Sequence, residues 1–269
     1  MTKTRPFLKW AGNKFRCIEY ILNTLPQADR LVEPFTGSAS IFINSNYPNY
    51  LLGENNLDLV HLFNFVKAEG EDFISLCQQL FTPQNNCAEQ YYLLRDEFNN
   101  CGHNKRRAAL FLYLNRHGYN GLCRYNSKGY YNVPFGSHKK PYFPKQEMLS
   151  FVRKSSEAIF LHNDFQQTFA MAEKGDLIYC DPPYAPRDQL TNFTDYTEKK
   201  FGEQEQITLA NLAMTYAERG ITVAISNHDT AFTRHYYRFG KIHCFEVKRS
   251  ISRNANNRQL VKELLVIFR

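Results

Sequence analysis

The chain has 269 residues, with 33 Lys and Arg against 26 Asp and Glu, a formal net charge of +7, and 43% hydrophobic and 15% aromatic residues. That is enough chain for one large domain, or for a core domain with an insertion, and too apolar a composition for disorder. No run approaches the roughly 18 apolar residues of a membrane span, and the first residues carry no apolar stretch of signal-peptide type, so a cytosolic protein is expected.

In chain order, residues 31–33 read as a short strand entering a small-residue turn at 34–40 and a helix start at 41–43. Residues 50–53 are a second apolar run, ending at Glu54. From about Asn56 to Pro144 the pattern changes to helical, with 108–114 as an apolar helix core, followed by a hairpin. In that hairpin, strands at 122–125 and 130–133 flank a turn at 126–129. Residues 159–162 form a third run, and 176–180 a fourth that ends at Asp181-Pro182-Pro183-Tyr184. A helix over about 203–219, closed by Gly220, precedes a fifth run at 221–225, which ends at Ser226-Asn227-His228-Asp229. Apolar strands ending in polar residues, with helices between them, predict a doubly wound, Rossmann-like α/β sheet with ligands beyond the carboxyl ends of its strands. The predicted division is a sheet domain at 1–55 and 145–269, interrupted by an insertion at 56–144 with its hairpin at 118–136.

The charge is concentrated. Between Phe98 and Gln146 there is no Asp or Glu, while Lys105, Arg106, Arg107, Arg116, Arg124, Lys128, Lys139, Lys140 and Lys145 give +9, more than the net charge of the whole chain. The same segment holds ten aromatic residues. Basic, aromatic and acid-free, it suits a polyanion whose bases can be stacked upon, whereas a merely solvated face would intersperse acids. A second acid-free run holds Lys248, Arg249, Arg253, Arg258 and Lys262. The seven cysteines are odd in number and contain no Cys-x-x-Cys, which argues against a disulfide framework or a zinc ribbon. No His/Cys cluster has metal-ligand spacing, and His117 and His228 read as structural or as neighbours of the ligand.

Two motifs carry chemistry. In Glu33-Pro34-Phe35-Thr36-Gly37-Ser38-Ala39 a strand feeds a Gly turn at a helix start, where backbone can approach a nucleotide-like cofactor. It is not G-x-G-x-x-G, no basic residue awaits a pyrophosphate, and Glu54 stands where an acid binds ribose hydroxyls. The set favours S-adenosylmethionine over NAD, although such a turn is also compatible with being only a turn. Asp181-Pro182-Pro183-Tyr184 follows its strand directly. Its prolines offer no N–H donors, so the turn presents a carboxylate, carbonyls and an aromatic face, which suits a planar group bearing NH₂. Accepting the hydrogens of such an amine localises the nitrogen lone pair for in-line attack on a sulfonium methyl, with positioning and electrostatics supplying the rate.

The sequence resembles the Dam family of DNA adenine methyltransferases, which methylate adenine in GATC. Phe7-Leu8-Lys9-Trp10-Ala11-Gly12-Asn13-Lys14 resembles the family's N-terminal cofactor motif, and Val32 to Ala39 its Gly-loop motif. Residues 114–126, from Leu114-Asn115-Arg116-His117 to Arg124-Tyr125-Asn126, resemble its DNA-reading hairpin. Asp181-Pro182-Pro183-Tyr184 resembles its catalytic motif, and the motif order is the same across nearly the whole chain. The resemblance implies that Trp10, Ala11, Gly12, Lys14, Glu33, Pro34, Phe35, Gly37, Ser38, Glu54, Asp164, Phe165 and Asp181 line the S-adenosylmethionine site. It implies that Asp181 engages the target amine, with Pro182 and Pro183 shaping the turn and Tyr184 stacking on the extruded base. It further implies that Lys9, Leu122, Arg124 and Pro134 read base edges, Tyr119 and Asn120 fill or stabilise the space of the flipped base, and Arg95, Asn126 and Lys139 hold phosphates, with Arg116 also DNA-binding. A target amine hidden in duplex DNA requires base flipping. Departures from the family pattern are Glu54 for Asp, Asn13 and Ala39 for Gly, and Ser137 for a basic residue. A monomer acting on double-stranded DNA near the nucleoid is expected. A methyltransferase acting on cytosine, on RNA adenine or on a glutamine side chain, and a DNA-binding protein without catalysis, are the alternatives.

Overall fold

A computed structural model describes residues 3–185, 201–248 and 260–269. Arg249, Arg253 and Arg258 of the second basic run lie outside the described residues. In chain order the first elements are α1 (Ile18–Thr24), β1 (Arg30–Glu33), α2 (Ser40–Asn44), β2 (Asn49–Glu54) and α3 (Leu57–Gln78). There follow α4 (Ala88–Asn100), α5 (Lys105–His117), α6 (Lys145–Ser155), β3 (Ala158–His162), α7 (Phe165–Ala170) and β4 (Asp176–Cys180). The last are α8 (Glu203–Glu218), β5 (Thr222–His228), α9 (Ala231–Tyr236), β6 (Lys241–Lys248) and β7 (Leu260–Phe268). The expected α/β alternation is present. The chain divides into two compact units, one of Met1–Phe15, Thr36–Asn46 and Glu54–His162, the other of Arg16–Phe35, Tyr47–Gly53 and Asn163–Arg269.

In the second unit the strands lie in the order β2-β1-β4-β5-β7-β6. The first four run parallel, and β7 is antiparallel to both β5 and β6. Every residue of β4 is buried, as is β5 beyond its first residue, as strands covered on both faces must be. A bidentate pair sets the β1–β4 register: Arg30 Nε and a terminal nitrogen donate to the two Asp176 oxygens at 3.0 and 2.7 Å, and the two residues are register partners. With the strands pinned at their amino ends, Glu33 and the residue after Cys180 come to the same edge of the sheet.

Two features differ from the expectation. The sequence pattern ends the fifth strand at Ile225, but β5 continues through His228, because β7 pairs along it from Val223–Phe268 to His228–Glu263. Ser226 and Asn227 are therefore fully buried strand residues rather than an exposed polar ending. The sequence reading does not include the antiparallel β6–β7 pair: polar Lys241, His243 and Glu246 break up β6, while the apolar run at 264–268 in β7 goes unread.

The first unit is mostly helical. Phe7, Phe42, Phe63, Phe151 and Phe160 form its aromatic core, with ring centroids 5.1 to 5.8 Å apart. The expected apolar helix core is α5, buried from Ala108 to Asn115. Its Arg107 lies over the Phe98 ring and donates Nε to the buried Asp58 at the start of α3, at 2.6 Å. Tyr125 Oη donates to the same carboxylate at 2.7 Å, so one buried acid ties α3, α5 and the hairpin together.

That hairpin is not a regular ladder. Antiparallel bridges join Tyr125 to Tyr131 and Gly118 to Phe135, and Leu122 to Arg124 lie outside any strand. Side chains of α4 take over the backbone bonds. Asn99 accepts from Tyr131 N–H at 2.8 Å and donates to its carbonyl at 3.1 Å, while Tyr91 and Arg95 donate to the Val133 carbonyl. Residues 91, 95 and 99 recur every four positions, along one face of the helix.

Candidate active site

In the second unit, the fully buried β4 delivers Asp181-Pro182-Pro183-Tyr184 at its carboxyl end. The Tyr184 hydroxyl donates to Glu263 Oε2 on β7 at 3.1 Å, and its ring meets His228 edge-on at 4.6 Å and 79°. Burial pushes the Tyr184 phenol well above its usual value, reinforced by the charges of Asp181 and Glu263, so it remains an O–H donor. The Pro183 carbonyl accepts from Gln206 on α8, and the Ala185 N–H donates to Asn227 on β5. Glu33 ends β1 fully buried. Phe35 stacks on Phe165 at 5.5 Å and 21°, with Phe201 edge-on to both. Asp164 accepts from Gln167 N–H and caps α7, a role that accounts for its presence locally.

In the first unit, the Gly-loop residues gather around Glu54. The Gly37 N–H donates to Glu54 Oε2 at 2.9 Å and the Asn56 N–H to Oε1 at 3.0 Å. Burial pushes the Glu54 carboxyl up, and those N–H bonds oppose it. Gly37 has φ +50°, and a Cβ there would come within 3.1 Å of the Trp10 indole, so position 37 is restricted both by backbone and by space. Ala39 sits at φ +59°, in the left-handed region that favours glycine. Ser38 and Ser40 share a hydroxyl bond at 2.9 Å, and Lys14 Nζ donates to the Gly12 carbonyl at 2.8 Å. Pro34 is buried and Ala11 exposed.

The DNA-reading candidates of the first unit converge on the hairpin. Asn115, 1% exposed, accepts from Lys9 N–H at 2.9 Å and donates to the carbonyls of Lys9 at 2.7 Å and Gly121 at 3.3 Å. Gly121 has φ +63°, and a Cβ there would collide with the Lys9 side chain. This packing brings Lys9 beside Leu122, two candidates far apart in sequence. Lys9 Nζ lies 3.3 Å from His138 Nε2 and donates to the Arg116 carbonyl; burial, then the Arg116 charge, lowers its pKa. Tyr119, Asn120, Leu122, Arg124, Asn126 and Pro134 are exposed, Tyr119 by 52%. Asn126 Oδ1 accepts the N–H groups of Lys128 and Tyr130 and so shapes the hairpin turn. Arg95 lies over the Tyr92 ring, and Arg116 donates to the Tyr142 carbonyl. His117 is buried, and desolvation pushes it down to about 4, which makes it a neutral packing residue.

Not all of the +9 segment presents its charge. Lys105, Arg106 and Arg107 pair with Glu69, Glu97 and Asp58, acids that precede the segment in sequence. Arg124, Lys128, Lys139, Lys140 and Lys145 are exposed.

The model of the D12 class N6 adenine-specific DNA methyltransferase family matches residues 10–251. The chain belongs to this family. It is 47% identical over 268 residues to a DNA adenine methylase of Salmonella typhi, covering all of this chain and 96% of the relative. The DNA adenine methylase of Escherichia coli K12 is 46% identical, with 97% of it covered, and that of Serratia marcescens is 47% identical, with both chains covered fully. This D12-class enzyme is thus a site-specific, adenine-specific DNA methyltransferase.

The turn after β4 presents hydrogen-bond acceptors and an aromatic ring held at its hydroxyl and packed against His228, an arrangement that can take a planar amine. Sequence reasoning missed the residues that support this turn. Gln206 is signalled only as a polar residue on the apolar face of α8, which carries Leu209, Ala210, Ala213 and Tyr216. Glu263 lies in a strand that was not read. Asn99 and Asp58, which hold the hairpin, carry no local signal.

Proposed function

We propose that the chain transfers a methyl group from S-adenosylmethionine to N6 of an adenine flipped out of duplex DNA within GATC, as a cytoplasmic, nucleoid-associated monomer. In this reading 1–55 and 145–269 form the catalytic domain and 56–144 the DNA-recognition insertion. The observation that carries it is the turn at 181–184, where Asp181 follows a fully buried strand and Tyr184 is held by Glu263 and His228. Asp181 accepts from the adenine amine and localises its lone pair, and Tyr184 stacks on the extruded ring.

The residues about Gly37 fit an adenosyl group without phosphates. The small-residue turn admits close backbone approach, Glu54 is an acceptor for hydroxyls, and 36–46 contain no Lys or Arg for a pyrophosphate. When bound, S-adenosylmethionine supplies the electrophilic sulfonium methyl. On the DNA side, Arg124 suits the major-groove edge of guanine, Leu122 and Pro134 a thymine methyl, and Tyr119 and Asn120 the space vacated by the base. Lys9 joins the base-reading set, Arg95, Asn126 and Lys139 hold phosphates, and Arg116 belongs to the DNA-binding surface.

The test is transfer of labelled methyl from S-adenosylmethionine to two duplexes that differ only in GATC against GTTC. The expected outcome is label on the GATC duplex alone, recovered as N6-methyladenine. Equal label on both would overturn the GATC reading, and no label on either would overturn the methyl donor.

A further inference from the structure

We infer that Gln206 and Asn227 are positioning residues for methyl transfer, a buried amide pair that fixes the backbone of the turn bearing Asp181 and Tyr184. The inference rests on the reading of that turn as the catalytic one.

Pro182 and Pro183 contribute no N–H to the turn. It is held from outside. Gln206 Nε2 donates to the Pro183 carbonyl at 2.7 Å, and Asn227 Oδ1 accepts from the Ala185 N–H at 3.1 Å, so the bonds bracket Tyr184. The two amides are joined by Asn227 Nδ2 donating to Gln206 Oε1 at 3.0 Å, and the Tyr237 hydroxyl donates to the same oxygen at 3.1 Å. The Ala185 N–H and the His228 N–H, the latter at 2.9 Å, both point at Asn227 Oδ1. That forces Nδ2 toward Gln206, which in turn forces Nε2 toward Pro183. The polarity of the whole chain is therefore dictated, and neither amide can flip without losing several bonds.

Gln206 is 1% and Asn227 0% exposed. Gln206 occupies the face of α8 where an apolar side chain is the default, and burying an amide is costly unless it is fully bonded. An apolar residue would fill the space but leave the Pro183 carbonyl unheld. A misplacement of about 1 Å in a reacting group can cost on the order of 100-fold in rate. Both amides bond the backbone on either side of Tyr184, so both act through the turn.

The test uses Gln206→Met and Gln206→Glu in the full chain, with single-turnover methyl transfer, KM for duplex DNA and thermal melting followed from about pH 6 to about pH 9. In Gln206→Glu the neutral acid reproduces both bonds: its carbonyl oxygen accepts, and its O–H donates to Pro183. Ionisation removes the donor and sets a negative charge against that carbonyl. Among the described residues, the other titratable groups about this position are Tyr237, which burial holds protonated, with Cys180 beside it, and Tyr184, His228, Glu263 and Asp181 around the turn. The parent enzyme carries these groups too, and its pH profile subtracts their contribution.

The expected result is a Gln206→Glu rate near the parent's at low pH, falling about 10- to 100-fold further than the parent's as pH rises, with KM for DNA unchanged. Gln206→Met is expected to show the lowered rate at every pH. A parental rate in Gln206→Met, or a Gln206→Glu rate that follows the parent's pH profile, would overturn the inference. If Gln206→Met melts at low temperature, Gln206→Glu decides alone, because its neutral form keeps every bond. Asp181→Ala separates the two readings. Methylation retained in that variant would refute the catalytic assignment of the turn, whereas its loss beside an unaffected Gln206→Met would refute only the positioning role.

Discussion

Arg124 donates Nε to Asn132 Oδ1 at 2.7 Å and a terminal nitrogen to the Asn132 carbonyl at 3.3 Å, which fixes how the guanidinium is aimed. A guanidinium so aimed can read the O6 and N7 of one guanine. Arg124→Ala is expected to relax discrimination at one G·C pair by about 1–3 kcal/mol, measured as methylation rates on duplexes substituted one position at a time. An equal loss at every position would assign Arg124 to the phosphates instead. Arg124 and Asp181 were legible as candidates because each sits in a short motif whose residue types carry the chemistry. Gln206 and Glu263 were not, because their partners at 183 and 184 lie 23 and 79 residues away, and only the fold brings them together. A buried polar residue gives no sign in sequence of which distant backbone group it serves.

Among the elements, α4 and the hairpin depend on each other. The sequence predicts a hairpin of 122–125 and 130–133 about a turn at 126–129, and that turn is closed by the Gly129 N–H on the Asn126 carbonyl. The pattern could not reveal that the ladder is incomplete and that Asn99 supplies two of the missing bonds. Asn99→Ala leaves the N–H and carbonyl of Tyr131 without their partner, at a cost of about 1–3 kcal/mol. The expected outcome is a melting temperature lower by several degrees and a raised KM for DNA with kcat nearly unchanged, checked by calorimetry and steady-state kinetics. An unchanged KM would mean that the hairpin holds its shape without α4. The limits of β5 illustrate the same gap: strand residues were assigned from apolar runs, whereas β7 extends the pairing through Ser226 and Asn227.

At the scale of the whole molecule, charge placement decides how binding responds to salt. Nine phosphate contacts from the acid-free segment would give a slope of log K against log[salt] near −8, while the five exposed cations outside its three ion pairs, Arg124, Lys128, Lys139, Lys140 and Lys145, give about −4.5. The expected slope for duplex DNA lies near the smaller figure, measured by titration across a range of salt. A slope near −8 would mean that Lys105, Arg106 and Arg107 exchange Glu69, Glu97 and Asp58 for phosphates. Overall charge was readable from composition, but its neutralisation by acids that precede the segment was not.

The strand order β5-β7-β6 has a consequence for how the enzyme is made. A nascent chain synthesised as far as Lys248 already contains Asp181, Tyr184 and the two amides, yet one side of β5 stands open and Tyr184 has no Glu263. An open strand edge invites wrong pairing, including with a second nascent chain. β7 is made after both of the strands it separates, so Tyr184 gains its Glu263 partner in the same event that closes the sheet.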